Sequence, residues 1–208
     1  MASQTWFDGL KRSFADVPVG ADKSISTTEF LEASESLTTL FDVLGSAAFT
    51  PVKNDLLGNV KKLKDRQLAA PAESETVQSL SVNELKTKKH TASEGLLWLV
   101  RGLDFTTQSL RRHVDNTSEK LADSFRGAYK ETLSKHHGWA IKPVFNLAMG
   151  AAPDNKTFYK SLASSTADVS AETEAKIQEQ LTREVKALEN IVSILQKFQE
   201  QPDAKWKS

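Results

Sequence analysis

Ile177, Leu181, Val185, Leu188, Val192 and Leu195 follow one another at steps of 4, 4, 3, 4 and 3 residues. That rhythm paints one apolar stripe along an α-helix and cannot serve a strand, whose faces alternate every second residue. The same period recurs along most of the chain. Phe30, Ser34, Leu37, Leu40 and Phe41 share one mostly apolar face, and Val52, Leu56, Val60 and Leu63 share another. Leu96, Leu99, Val100, Leu103 and Leu110 mark a long helix whose centre, LLWLV, is apolar all round and belongs in the middle of the protein. Leu121, Phe125, Tyr129 and Leu133 step by four. Nothing sustains a period of two, so no sheet is expected. The fold class is all-α: a single domain over residues 1–208 with about eight helices, and a loosely ordered arm over 1–25, where Gly9, Pro18 and Gly20 break any period.

Punctuation supports these helices. Ser26-Thr27-Thr28-Glu29 has the form of a capping box. Gly45 is a stop, and Thr50-Pro51 a restart with Thr as the N-cap and Pro at the first helical position. A linker with Pro71 spans 69–74. Gly138 interrupts the chain before Trp139, and a short helix is expected over 154–163. The last stripe covers about three heptads, which suits a core-facing helix better than a coiled coil.

Composition narrows the function. Twenty-seven Lys and Arg balance 27 Asp and Glu. A binder of nucleic acid, or of anionic membranes by bulk charge, would need a basic excess. The absence of Cys removes disulfides, thiolate nucleophiles and Cys-based zinc sites, and suits a cytoplasmic setting. The longest fully apolar run, Leu96–Val100, is far short of a bilayer span. Neither a phosphate-binding glycine loop nor an HExxH or GxSxG pattern occurs, so no cofactor or metal site is expected and an enzyme has little support.

Three features are left to carry chemistry. Asp55, Asn59 and Lys62 fall at i, i+4 and i+7, one residue off the apolar stripe of their helix. Such a line reads either as a solvated flank or as the mouth of a pocket. Gly58 in mid-helix leans toward the second, because close approach of another group would explain its cost of about 1 kcal/mol against Ala. His137 stands four residues after Leu133 and continues that stripe, as a core histidine or as a ligand contact. Trp98 is most simply core. Trp139, with Ile141, Lys142 and Pro143, reads either as a helix-cap packing group or as a membrane-contacting tip, since indole favours wet–apolar boundaries.

Taken together, FDVLGSAAFTPVKNDLLGNVKKL (41–63), LLWLVRGLDF (96–105), KHHGWAIKPVF (135–145) and AAPDNKTFYKSL (151–162) resemble the glycolipid transfer protein family. The length and N-terminal arm are similar to a fungal branch of it. The resemblance implies a two-layer all-α fold that lifts one glycosphingolipid, a mono- or diglycosylceramide, from a transiently contacted membrane without catalysis. It implies that Asp55, Asn59 and Lys62 bind sugar hydroxyls, with Asp55 also taking the ceramide amide N–H. It further implies that Trp98 stacks on the first sugar and that His137 holds the amide carbonyl. Phe105, Leu133, Phe145 and Phe158 would line the acyl pocket, and Trp139 would dock on the membrane. Trp206 is a weaker match to an aromatic near the site.

The chemistry suits those roles. A chain of about 16 carbons costs roughly 12 kcal/mol to expose to water, at 0.8 kcal/mol per CH₂, so a carrier must enclose it. A sugar offers hydroxyls at its edge and C–H groups on its face, which carboxylate, amide, ammonium and indole between them satisfy. Relatives that carry ceramide-1-phosphate resemble this pattern with basic residues at the positions of Asn59 and Trp98; amide and indole there favour sugar. Arg101 is expected to support Asp55 or the helix packing. Glu94, one turn before Trp98, could narrow the head groups that fit. The competing readings are a ceramide-1-phosphate carrier of the same fold, and a helical interaction or sensor protein that transfers no lipid. The expected location is cytoplasmic and peripheral to membranes.

Overall fold

The computed structural model describes residues 3–165 and 169–205. Its helices are α1 (Thr27–Thr38), α2 (Thr50–Ala69), α3 (Val77–Lys86), α4 (Thr91–Asp115), α5 (Leu121–Glu131), α6 (Lys142–Gly150), α7 (Asn155–Leu162) and α8 (Ala171–Gln199). A single extra turn, Leu40–Val43, continues α1. Among the described residues the only β-type pairings are two isolated bridges, Val19 with Ile25 and Ser26 with Thr76.

α4 is the axis. It is 25 residues long and packs against α2, α3, α5 and α8. Leu96, Leu99, Val100, Leu103 and Phe105 are all buried, as an all-round apolar centre requires. The stripe of α8 is likewise buried from Ile177 to Leu195. Two glycines set how closely α2 approaches α4. A Cβ on Gly95 would come within 3.0 Å of Lys62 Cβ, and one on Gly102 within 2.6 Å of Leu56 Cδ2. The pairing of 95 with 62 and 102 with 56 makes the two helices antiparallel. It also brings Trp98 on α4 level with Asn59 on α2.

Several boundaries differ from the sequence expectation. Ser26 is the N-cap of α1 but makes no side-chain cap; its hydroxyl donates to the Glu29 carboxylate instead. The capping box that does form is Thr76 with Ser79 on α3. α2 begins one residue early, at Thr50, because a 3₁₀ turn over Ala47–Phe49 leads straight into it. Gly45 stops the preceding turn as expected, at φ +74°, a conformation that glycine adopts without strain. The start of α4 is capped from a distance. The buried Glu84 carboxylate accepts from the backbone N–H of Ala92 at 2.9 Å and of Ser93 at 2.7 Å.

Residues 3–25, read as loose, are packed down. Phe14 is buried against Phe30, and its N–H donates to Glu184 on α8 at 2.9 Å. Trp6 reaches Thr39 at 2.9 Å, and Asp8 pairs with Lys176 at 2.6 Å. These tertiary contacts hold a segment with no periodicity of its own. Asn155 spends its amide on the backbone of Leu121, Thr117 and Glu119, tying α7 to the loop before α5.

Candidate functional site

The polar line on α2 is organised by Asn59. This residue is only 4% exposed. Its amide nitrogen donates to the Asp55 carbonyl at 3.0 Å, and its amide oxygen accepts from Lys62 Nζ at 3.2 Å. Asp55 is exposed as a residue, yet its carboxyl is partly desolvated. That partial burial pushes its pKa up, and the Lys62 ammonium partly offsets the shift. Carboxylate, amide and ammonium thus stand in sequence along one stripe of α2. Gly58 does not explain them: a Cβ there would meet nothing within 4 Å. The close approach comes from Gly95 and Gly102 on the partner helix.

Across the seam, Trp98 is half-buried rather than core. The His137 ring lies nearly parallel to it, with centroids 6.0 Å apart and planes 20° apart. The Arg101 guanidinium sits 4.7 Å from the centre of the Trp98 ring, a cation–π contact. Among the described residues Arg101 forms no ion pair with Asp55, so its support goes to the indole. Glu94 is half-buried one turn earlier on the same helix.

His137 does not continue a helical stripe. α5 ends at Glu131, Thr132 leaves the helical region at φ −111° and ψ −92°, and a 3₁₀ turn over Leu133–Lys135 follows. The Leu133 carbonyl accepts from the N–H of both His136 and His137, at 2.9 and 3.2 Å, which fixes the pair in a turn beside Trp98. His137 Nδ1 lies 3.1 Å from the Tyr129 hydroxyl. Its pKa is lowered, first by burial and then by the charges of His136, Lys142 and Arg101. A neutral imidazole whose Nδ1 accepts from Tyr129 presents Nε2–H as a donor.

Tyr129 is the residue that sequence reasoning missed. Its signal was available: a tyrosine on a core stripe needs a partner for its hydroxyl. It also stacks on Phe145 at 5.4 Å and meets Phe105 edge-on at 6.2 Å. Phe105, Leu133 and Phe145 are all buried, and Phe105 and Phe145 flank the same tyrosine ring. Phe158 is buried too, but its ring neighbours are His113 and Tyr159, away from that cluster.

Trp139 is 88% exposed, which removes the helix-cap packing reading. Ile141 and Pro143 are exposed with it, and Lys142 is half-buried. Val144 and Leu147, not singled out from sequence, extend the patch. α6 buries Phe145, Ala148 and Met149 and turns Val144 and Leu147 outward. Of the described residues' exposed large apolar side chains, only Leu68 lies outside 139–147. Such clustering on one tip marks a contact surface, whereas scattered apolar residues would not. Trp206 lies outside the described residues.

Residues 25–164, well over half of the chain, match the family model described as Glycolipid transfer protein (GLTP). The chain belongs to the glycolipid transfer protein family. It is 56% identical over 202 residues to a glycolipid transfer protein of Aureobasidium melanogenum, covering 97% of this chain and 96% of that one. Its fold is similar to the crystal structure of HET-C2, a fungal glycolipid transfer protein, with a TM-score of 0.90, 53% identity, and coverage of 97% of this chain and 100% of that one. It is also similar to the GLTP-fold of FAPP2, described as selecting simple glycosphingolipids, at a TM-score of 0.82 and 33% identity over 95% of each chain. The GLTP model spans every site residue from Asp55 to Phe158; α8 and the C-terminus lie beyond it.

Proposed function

We propose that this chain binds one glycosphingolipid with a head group of one or two sugars and carries it between membranes. The observation that carries the proposal is a juxtaposition. The Asp55–Asn59–Lys62 line stands level with the Trp98–His137 pair, and the His137 ring touches Phe145, centroids 4.4 Å apart, on the helix that bears the exposed apolar tip. In this reading the sugar ring lies on the indole and its hydroxyls meet the α2 line. The ceramide amide donates to Asp55 and accepts from His137 Nε2–H. The acyl chains part the aromatic core around Phe105, Leu133 and Phe145, with Phe158 on the far side.

Trp139, Ile141, Val144 and Leu147 enter the interface of the donor membrane, with Lys142 and Pro143 at its edge. No helix among the described residues is long and apolar enough to cross a membrane, so contact is by this tip. Transient docking at membranes from the cytoplasm suits a chain of zero formal net charge. Sugar is favoured over phosphate because the positions facing it are an amide, Asn59, and an indole, Trp98, rather than two further cations. The chemistry is binding, with no bond made or broken.

The test is transfer between vesicles of galactosylceramide, lactosylceramide and ceramide-1-phosphate. Movement of the glycolipids and not of the phosphate lipid is the expected result. Movement of the phosphate lipid alone would overturn the head-group assignment. No movement of any would favour an interaction protein.

A further inference from the structure

His113 lies in the last turn of α4 and is completely buried. Neither of its ring nitrogens finds a hydrogen-bond partner among the described residues. A neutral imidazole carries one donor and one acceptor, and leaving both unmet in the interior costs stability, so such a group calls for a role. Aromatic contacts hold the ring instead. Phe158 meets it edge-on with centroids 5.7 Å apart, and Tyr159 meets it at 5.8 Å with planes 50° apart. Both belong to α7, so His113 is a seat of α7 on the end of α4.

The charges around this seat are mostly committed elsewhere. On α4, Arg112 pairs with Glu131 of α5, and Arg111 pairs with Asp115 and with Glu189 of α8. On α8, Glu174 acts on the Tyr159 phenol. The α7 lysines, Lys156 and Lys160, do not bear on the imidazole; the charge that does is the Glu119 carboxylate, in the loop between α4 and α5. Burial lowers the His113 pKa, and Glu119 offsets part of that shift. Yet Glu119 is occupied, accepting from the Ser124 hydroxyl at 2.7 Å. Its loop is also tied to α7. Asn155, the first residue of α7, donates its amide to the carbonyls of Thr117 and Glu119 at 2.8 and 2.9 Å. A protonated ring in this seat would be a buried cation whose counter-charge is engaged with another partner, an arrangement that an apolar interior penalises.

We infer that His113, Glu119 and Asn155 form an acid-sensitive latch on α7. With the imidazole neutral the latch is closed. When α7 lifts, the ring takes a proton from solvent; the imidazolium draws Glu119 off Ser124 and shifts the loop that Asn155 clamps, which keeps α7 off the end of α4. Above the ordinary histidine value of 6.5 the ring is neutral in both forms and pH has no effect. Below it the released form binds a proton that the closed form refuses, and gains by up to about tenfold per pH unit until the depressed value of the closed form is reached. The consequence for cargo rests on the carrier reading above: α7 bears Phe158, the far side of the proposed acyl pocket, so its release loosens the grip on a bound glycolipid in acid.

The test follows the full chain from about pH 7.5 to about pH 5, the range in which histidine titrates, as wild type, His113→Leu and Glu119→Gln. Leucine fills the seat without a titrating group, so the fold is not threatened. By NMR, the wild-type α7 amides and the His113 ring protons are expected to titrate together, with a midpoint below 6.5, while the α8 amides stay still. The midpoint should drop further in Glu119→Gln, and the α7 response should vanish in His113→Leu. An α7 response that survives in His113→Leu, a ring that titrates without moving α7, or unfolding of the whole wild-type chain in step with the ring would overturn the latch. The second measurement is release of preloaded fluorescent galactosylceramide to vesicles. It should rise by about tenfold across the range for wild type and stay within about twofold for His113→Leu. An equal rise in both would place the acid sensitivity at His136 and His137 and overturn the latch's part in release. A wild-type protein that takes up no galactosylceramide would overturn the carrier reading, while the α7 amides still decide the latch.

Discussion

The imidazole of His137 lies almost parallel to the indole of Trp98, planes 20° apart and centroids 6.0 Å apart, although 39 residues separate them in the chain. This pair is where the sugar half and the ceramide half of the proposed ligand meet. It exists because Gly95 and Gly102 let α2 close on α4, while Thr132 breaks α5 early enough to fold His137 back onto the seam.

Asp55 is the group whose loss should silence the site without disturbing the fold. Asp55 is exposed, and among the described residues its carboxyl forms no ion pair. Asp55→Val is expected to cut glycolipid transfer by about tenfold to a hundredfold or more, since hydrogen bonds to a charged group are worth ~1.5–3 kcal/mol each. Far-ultraviolet circular dichroism should stay at wild-type level. Retained transfer would remove Asp55 from the site.

Tyr129→Phe tests whether the tyrosine hydroxyl orients His137. The ring contacts with Phe105 and Phe145 remain, so only the 3.1 Å contact to Nδ1 is lost. Stability should fall by about 0.5–1.5 kcal/mol. Binding affinity should fall several-fold, read by titration with a soluble short-chain glycosylceramide. Unchanged affinity would mean that the turn alone sets the histidine.

The apolar tip predicts a graded loss of membrane contact. Trp139→Ala and Leu147→Ser should each weaken partitioning to phosphatidylcholine vesicles by about tenfold, in line with ~1.5–3 kcal/mol for burying a large apolar side chain. The preference among lipids should not change. Leu68→Ser, on the one exposed large apolar residue away from the tip among the described residues, serves as the control and should leave partitioning untouched.

The glycines predict opposite effects. Gly58 faces open space in mid-helix, so Gly58→Ala should stabilise by about 1 kcal/mol and raise the melting temperature by roughly 2–4 °C. At Gly95 a Cβ already crowds Lys62 and Leu63, so Gly95→Val should destabilise by about 1–3 kcal/mol and reduce transfer. Thermal melts of both variants decide the point.

His137 should titrate below the ordinary histidine value of 6.5, held down by burial and then by His136, Lys142 and Arg101. Its folded pKa therefore lies beneath its unfolded one. The stability it contributes is present above pH 6.5 and is lost as pH falls through the depressed folded value. The imidazole proton shifts of His137 followed by NMR check this; a midpoint at or above 6.5 would contradict it.

Legibility differed from element to element. The stripes of α4 and α8 were readable because burial selects apolar residues every three or four positions. The polar line of α2 was readable as a line; that Trp98 stands level with Asn59 across the seam was not, because it depends on how closely α2 approaches α4. Gly58 drew attention through its helix cost, while the glycines that matter sit on α4 and matter only for what α2 brings against them. The arm over residues 3–25 looked loose because its order comes from Glu184, Thr39 and Lys176, far away in sequence. Val144 and Leu147 could not be singled out in the sequence, since only the roll of α6 determines which of its apolar residues face out.

From the sequence alone followed the all-α class, the absence of thiol chemistry, the charge balance, and the residue types able to hold a sugar and an amide. Those depend on local periodicity and on side-chain chemistry, which each residue carries with it. The tertiary structure decided that His137 leaves its helix to lie along Trp98, that Arg101 covers the indole instead of pairing with Asp55, and that Val144 and Leu147 join Trp139 at the exposed tip. These depend on the angle and spacing at which helices meet, and such spacing is set by pairs of residues that no single stretch of sequence contains.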